Sequence, residues 1–312
     1  MDKTFSARNE KTTNRIRDGR VFDAVNITLL VLIMILILYP LYFTIIASVS
    51  EPTEVINGNV ILSPKGFTWE SYNMAFNEVR IWTGYRNSLI YMVLGTLFNL
   101  CLTIPAGYFL SKRELPGRQA VNIYFLITMY FSGGLIPTYL MVKSYGLLNQ
   151  FWTLIVLNGI SVYNLVITRV FFQNSIPNDL YESAFIDGAS DYRAFFSIAL
   201  PLAKPIIAVM ALYYGVGHWN GYFTALIYVS KQTFQPLQIV LRSILLQNET
   251  MLTAVDPNSL DEDMVIALTR RAYLAFTMKY AMIFIASAPL LSIYPFVQKY
   301  FVKGAMIGSL KG

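Results

Sequence analysis

The chain has 312 residues, 55% of them hydrophobic and only 13% charged, with a mean hydropathy of +0.49. That is too apolar for a water-soluble globular domain and makes a bilayer its solvent. The net charge of +6 reads as a topology and anionic-lipid signal, which argues against nucleic acid as a partner. Cys101 and His218 are the single cysteine and histidine, so an intrachain disulfide is excluded and no metal site is expected.

Residues 1–20 are polar and carry Lys3, Arg8, Lys11, Arg15, Arg17 and Arg20, which places this N-terminal segment in the cytoplasm. Apolar runs of about 20 residues, enough to cross a membrane as a helix, occur at 25–48, 87–110, 121–142, 151–172, 206–229 and 279–297. The first run lacks a small-residue cleavage site and is expected to remain as an anchor. Six spans return the C-terminus to the cytoplasm. Lys112, Arg113 and Arg118 then fall inside, and Lys143 alone marks the short outer loop that follows. The expected organisation is a cytoplasmic segment 1–20, an all-α six-helix membrane domain 21–297 with outward loops 51–85 and 230–278, and a cytoplasmic tail 298–312.

The spans carry little chemistry. They hold no Asp or Glu, whereas a proton-coupled secondary carrier ordinarily keeps an intramembrane acid or comparable relay. A self-sufficient carrier or channel for a neutral polar solute is weakened by this but stays open as the alternative. No catalytic residue is expected, and no Gly-x-x-x-x-Gly-Lys-Ser/Thr phosphate loop occurs, so ATP hydrolysis is not assigned to this chain. Proline and glycine punctuate the spans, as in helices that kink where a pathway opens. Gly217 and Gly221 form a small-xxx-small pair suited to close helix packing. The fifth run clusters Tyr213, Tyr214, His218, Trp219, Asn220 and Tyr222. Rings that take the C–H face of a sugar, beside amide, phenol and imidazole groups for its hydroxyls, fit a substrate pathway. An interfacial aromatic belt accounts for the same rings without a ligand.

The polar loop 178–201 has a docking character. Pro177 with Asn178 or Asp179 starts a short helix, and Leu180, Tyr181, Ala184 and Phe185 fall at helical spacing on an apolar face. Gly188 ends it or permits a tight turn. Asp191 is the expected cap of a second helix through Tyr192, Phe195 and Phe196 toward Pro201. Such a helix fits a partner's groove, with Glu182 free for a cationic rim; a helix lying on lipid is the plainer reading.

Glu182-Ser183-Ala184, three residues, Gly188, nine residues, Ile198, one residue and Leu200-Pro201 resembles the EAA loop of ABC-importer permeases, with Ser183 in place of the second alanine. The Trp219-Asn220 pair and the tail from Gln298 through Gly304 and Gly308 to Gly312 are similar to the carbohydrate-uptake branch, within it to MalG-like permeases of the LplC/YtcP type. The resemblance extends over essentially the whole chain.

That resemblance implies a type I importer permease fold with a MetI-like core of five helices. It implies a second homologous permease, two copies of a cytoplasmic ATPase that use ATP and Mg2+, an extracellular solute-binding protein and a sugar, above all oligosaccharide, substrate. The chain itself would hold no cofactor and would sit in a bacterial inner or plasma membrane. Glu182 and Ala184 fall at coupling-helix positions seated in the ATPase cleft, Asp187 and Gly188 shape the turn, Ser183 and Ala189 complete the coupling set, and Phe195 and Pro201 are less firmly placed. The 230–278 loop would engage the binding protein, and the tail would reach between the ATPases.

Overall fold

A computed structural model describes the backbone of residues 3–254 and 262–309, and the side chains of 21–247 and 266–292. Among the described residues the secondary structure is entirely helical. Among the described residues three helices are long and apolar enough to cross a membrane, and up to five spans result if two bent pairs each count as one. The chain divides into two compact units, Met1–Ala75 with Met251–Phe284, and Phe76–Thr250 with Ile285–Gly312.

In the first unit, α1 (Lys3–Ser48) is apolar on every side over Val21–Ser48. From Val21 onward its side chains are exposed until the last turn, the pattern of a helix whose surroundings are lipid. There Ile46 and Ala47 become buried with Val55 of α2 (Pro52–Ile56) and with Val60, and Phe43 and Tyr280 pack against them. Hydroxyl pairs tie the rest: Ser48 Oγ lies 2.9 Å from the phenol of Tyr72 on α3 (Glu70–Asn77), and Ser71 Oγ lies 3.0 Å from Thr277 Oγ1.

In the second unit the axis is α4 (Val79–Ser111), capped by Glu78, whose carboxylate accepts from the Arg80 amide. Small residues let other segments lie against it. A methyl at Gly84 would sit 3.0 Å from the Leu237 backbone, one at Gly107 would sit 2.6 Å from the Thr168 side chain, and one at Gly95 would enter the His218 ring. The expected close packing at Gly217 and Gly221 is therefore corrected: a methyl at Gly217 meets nothing within 4 Å, and one at Gly221 meets only the backbone of Gly217 and His218 just before it in the chain. In this unit the closest approaches are at the glycines of α4, with Gly159 next, where a methyl would sit 3.1 Å from the Phe98 ring.

The run at 121–142 is a bent pair, α5 (Arg118–Tyr130) and α6 (Leu135–Ser144), turned by 113°. Gly134, with φ +84°, makes the turn in a conformation that side-chain-bearing residues avoid. The run at 151–172 is also divided, into α7 (Thr153–Val156) and α8 (Val162–Ser175). Ser161 restarts the helix there, its Oγ accepting from the Asn164 amide. The run at 206–229 is α12 (Lys204–Trp219) followed, after Asn220 and Gly221, by α13 (Tyr222–Tyr228). Between α8 and α12 lie α9 (Asn178–Ile186), α10 (Asp191–Ala194), a π-helical turn Phe195–Ala199, and α11 (Leu200–Leu202). The segment 230–278 contains α14 (Leu237–Ala254) and the start of α15 (Glu262–Ser309). The side chains of the tail 298–312 lie outside the described residues.

Candidate functional site

Two places in the second unit bring polar chemistry together. The first is the loop of α9 and α10. The amide of Gly188 donates to the Phe185 carbonyl at 3.0 Å, and that of Ala189 to the Ala184 carbonyl at 2.8 Å. With Gly188 at φ +80°, these two bonds are the Schellman closure that satisfies carbonyls left over at a helix end. The motif's spacing has a local cause: Ala184 offers the carbonyl, and Gly188 supplies the left-handed residue that aims the next amide at it. Ser183, where the family pattern has alanine, spends its hydroxyl on the Asp179 carbonyl one turn back, at 2.8 Å.

The expected apolar face of α9 divides. Tyr181 is the helix's single buried residue, whereas Phe185 and Ile186 are 43% and 86% exposed, and Glu182 and Asp187 are also exposed. Tyr181 enters an aromatic cluster around Tyr108 of α4. The Tyr108 ring centroid lies 5.9 Å from that of Tyr181, 5.5 Å from Phe172 and 5.0 Å from Phe195. The second helix starts one residue earlier than expected. Ser190 caps it, its Oγ accepting from the Arg193 amide, and Asp191 is the first helical residue. Phe195 and Ala199 are buried along the π turn. The axis then bends by 77° between Asp191–Leu202 and Lys204–Trp219. Pro201 and Pro205 flank the bend at Ala203, and a proline offers no amide to carry a helix through.

A polar cavity of about 720 Å³ lies beside α9, lined by Lys112, Arg113 and Arg118 and by Glu114, Glu182 and Asp191, among others. Burial pushes the Lys112 ammonium below its ordinary value, and the carboxylates of Glu114 and Asp191 oppose that shift.

The second place is a cavity of about 380 Å³ between α4, α7, α8 and α12, lined by Asn99, Asn158, Asn164, Tyr213, Tyr214 and His218 with apolar neighbours. Asn99 Nδ2 donates to the carbonyls of Asn158 at 2.6 Å and Gly159 at 2.8 Å. Its oxygen is thereby left facing His218 Nε2, 2.7 Å away, so Nε2 carries the hydrogen and donates. Tyr214 binds Thr103 of α4 through its hydroxyl, at 2.7 Å, and accepts from the Ser161 amide at 3.2 Å. The wall thus presents amide, phenol and imidazole groups already held in place, and among the described residues its lining carries no carboxylate, ammonium or guanidinium.

Residues 81–306 match the family described as "Binding-protein-dependent transport system inner membrane component". The chain belongs to that family. This permease is 38% identical over 308 residues to "Protein LplC" of Bacillus subtilis (strain 168), a match covering 96% of this chain and 98% of LplC. It is 39% identical over 294 residues to the "Polygalacturonan/rhamnogalacturonan transport system permease protein YtcP" of the same organism, covering 94% and 99%. Among solved structures it superposes, with a TM-score of 0.81 and 30% identity, on a chain of a bacterial ABC transporter involved in the import of the acidic polysaccharide alginate. That likeness covers 91% of this chain and 98% of the other. The permease is an all-α, multi-pass membrane protein with the ABC importer permease fold.

Of the six pathway residues expected in the permease's fifth span, Tyr213, Tyr214 and His218 line the cavity. Trp219 turns away: its Nε1 donates to the Ala286 carbonyl at 3.1 Å and its ring meets Tyr85 edge-on at 5.6 Å. Asn220 is exposed where α12 ends, and Tyr222 packs beside a neighbouring hydrophobic cluster with Arg242 over its ring at 5.5 Å. Sequence reading overlooked Asn99, Asn158 and Asn164. A lone amide one turn beyond Gly95 was the available sign, since a buried amide inside a span needs partners.

Proposed function

We propose that the chain is the non-catalytic permease subunit of an importer for glycans, chiefly oligosaccharides released from polysaccharides. A second homologous permease completes the pathway, an extracellular binding protein delivers the sugar, and two ATPase subunits drive it. Both termini face the cytoplasm of a bacterial cell whose plasma membrane holds the complex. The names of YtcP and of the alginate importer support the glycan class. The cavity's neutral hydrogen-bonding wall is chemically suited to hydroxyl-rich solutes.

The observation that carries the coupling role is the form of α9. It is a short helix closed by Gly188, rooted by Tyr181 alone, with Glu182, Phe185 and Ile186 turned outward. An exposed apolar-acidic helix face of this kind suits a partner's groove. In this reading Glu182, Ser183, Ala184, Asp187, Gly188 and Ala189 seat in an ATPase cleft, and Phe195 and Pro201 brace the loop behind them. ATP with Mg2+, held by the ATPases, supplies the free energy. This chain supplies two packed arrangements whose balance the ATPases shift.

The reading is tested with the assembled importer in proteoliposomes. Glu182→Lys and Gly188→Val should abolish ATP-driven uptake of oligosaccharides from partly digested polygalacturonan, while membrane insertion is kept. Wild-type uptake by both variants would contradict it.

A further inference from the structure

We infer that Lys112 is a positioning residue that clamps α9 onto the end of α4, so that motion of α9 reaches the cavity wall directly through α4. The inference rests on the reading of α9 as the coupling helix. Lys112 is the residue at which α4 ends, its backbone extended and its amide held by the Phe109 carbonyl at 3.1 Å. Its ammonium lies 3.1 Å from the ring centroid of Tyr181 and 5.9 Å from that of Phe185, both on α9. The same ammonium lies 4.9 Å from the ring of Tyr108 on α4. One cation therefore faces rings from both sides of the joint, and a partly desolvated ammonium is held by ring faces more strongly than an exposed one.

Two further observations give the contact its weight. Tyr181 is the only buried residue of α9, so the helix is anchored to the body of the protein at one point of its length. The hydroxyls of Tyr181 and Tyr108 are buried without hydrogen-bond partners. Ring faces, and not phenol hydrogen bonds, hold this joint. The route along the chain from α9 to α12 passes a π turn and a 77° bend, both places where a helix yields under load. The route through Lys112 and Tyr108 instead enters α4, which stays helical over 33 residues, through Pro105, and carries Thr103, the partner of Tyr214, and Asn99 and Tyr91 of the cavity wall.

The test uses the complete importer in proteoliposomes, with Cys101→Ser and an environment-sensitive fluorophore on Arg86→Cys, an exposed position near the far end of α4. Mg-ATP is the probe, and the readout is the fluorescence change per ATP hydrolysed. Lys112→Met keeps the aliphatic stem and should lower that ratio about tenfold, the scale of one desolvated cation–ring contact. Lys112→Arg should restore it to within about twofold, because a guanidinium keeps charge and ring contact. Tyr181→Phe should match the wild type, and Tyr181→Leu should match Lys112→Met. A wild-type ratio in Lys112→Met, or no rescue by arginine, would overturn the clamp. Should Lys112→Met fail to assemble, the two Tyr181 variants decide, and equal ratios in them would overturn it. Loss of the ratio in Glu182→Lys but not in Lys112→Met leaves the coupling reading standing and removes the clamp alone. A full ratio in Glu182→Lys, or no ATP-driven signal in the wild type, removes both.

Discussion

Gly95 and His218 meet so closely that a methyl on the glycine would lie 2.4 Å from the imidazole ring. The contact lets α4 and α12 approach at the depth where His218 donates to Asn99, so one glycine fixes both helix packing and the polar wall of the cavity.

Gly95→Ala should therefore push His218 off Asn99 and destabilise the permease by about 1–3 kcal/mol, the cost of overfilling a packed contact. Gly217→Ala, where the added methyl meets nothing within 4 Å, should leave stability near wild type. Thermal unfolding of the two variants in detergent checks the contrast, and equal midpoints would count against it.

How far the fold was legible follows from where each signal sits in the chain. The spans at 25–48 and 87–110 were visible as unbroken apolar runs, because lipid demands apolar side chains along a crossing helix. The break within 151–172 had a sign in the turn-forming pair Asn158-Gly159, which the apolar residues on both sides outweighed when the run was read as one span. The α9 loop was legible because its bonds are local. Ala184, Gly188 and Ala189 close one turn, and spacing alone records that. Asn99 and His218 are 119 residues apart, so nothing short of packing brings them together. Ser190 and Asp191 are both good caps, and only the backbone decided between them.

Gly188 makes a second prediction. At φ +80°, alanine is disfavoured by about 1–2 kcal/mol while asparagine tolerates the conformation better. Gly188→Ala should weaken co-purification of the ATPase subunits, and Gly188→Asn should weaken it less. The reverse order would show that the left-handed turn is not what the position requires.

Tyr214 spans α4 and the start of α8 with one hydroxyl. Tyr214→Phe removes the Thr103 bond and leaves the Ser161 amide unpaired, at a cost of about 0.6–1.7 kcal/mol for hydrogen bonding within a membrane protein. A lowered unfolding midpoint in detergent is expected, and an unchanged or raised one would argue that water replaces the phenol.

Glu78 gives a pH dependence. The Arg80 guanidinium, hydrogen-bonded to its carboxylate, holds that carboxyl below its ordinary value. A depressed acid contributes stability above its unfolded pKa and loses it as pH falls through the folded one. The start of α4 should accordingly loosen only in acid, below the usual carboxylate range. Amide hydrogen exchange near Ile81 reports it, and Glu78→Gln should flatten the response; an identical acid response in that variant would assign it to another group.

The central claim, that this chain is a pathway moved by a separate motor, is tested most directly by uptake into proteoliposomes. The purified chain alone is compared with the complete importer carrying its second permease, binding protein and ATPases, using oligosaccharides from partly digested polygalacturonan. Uptake is predicted only in the complete complex and only with Mg-ATP inside. Uptake by the single chain down a gradient, without nucleotide, would contradict the account and make it a self-sufficient carrier.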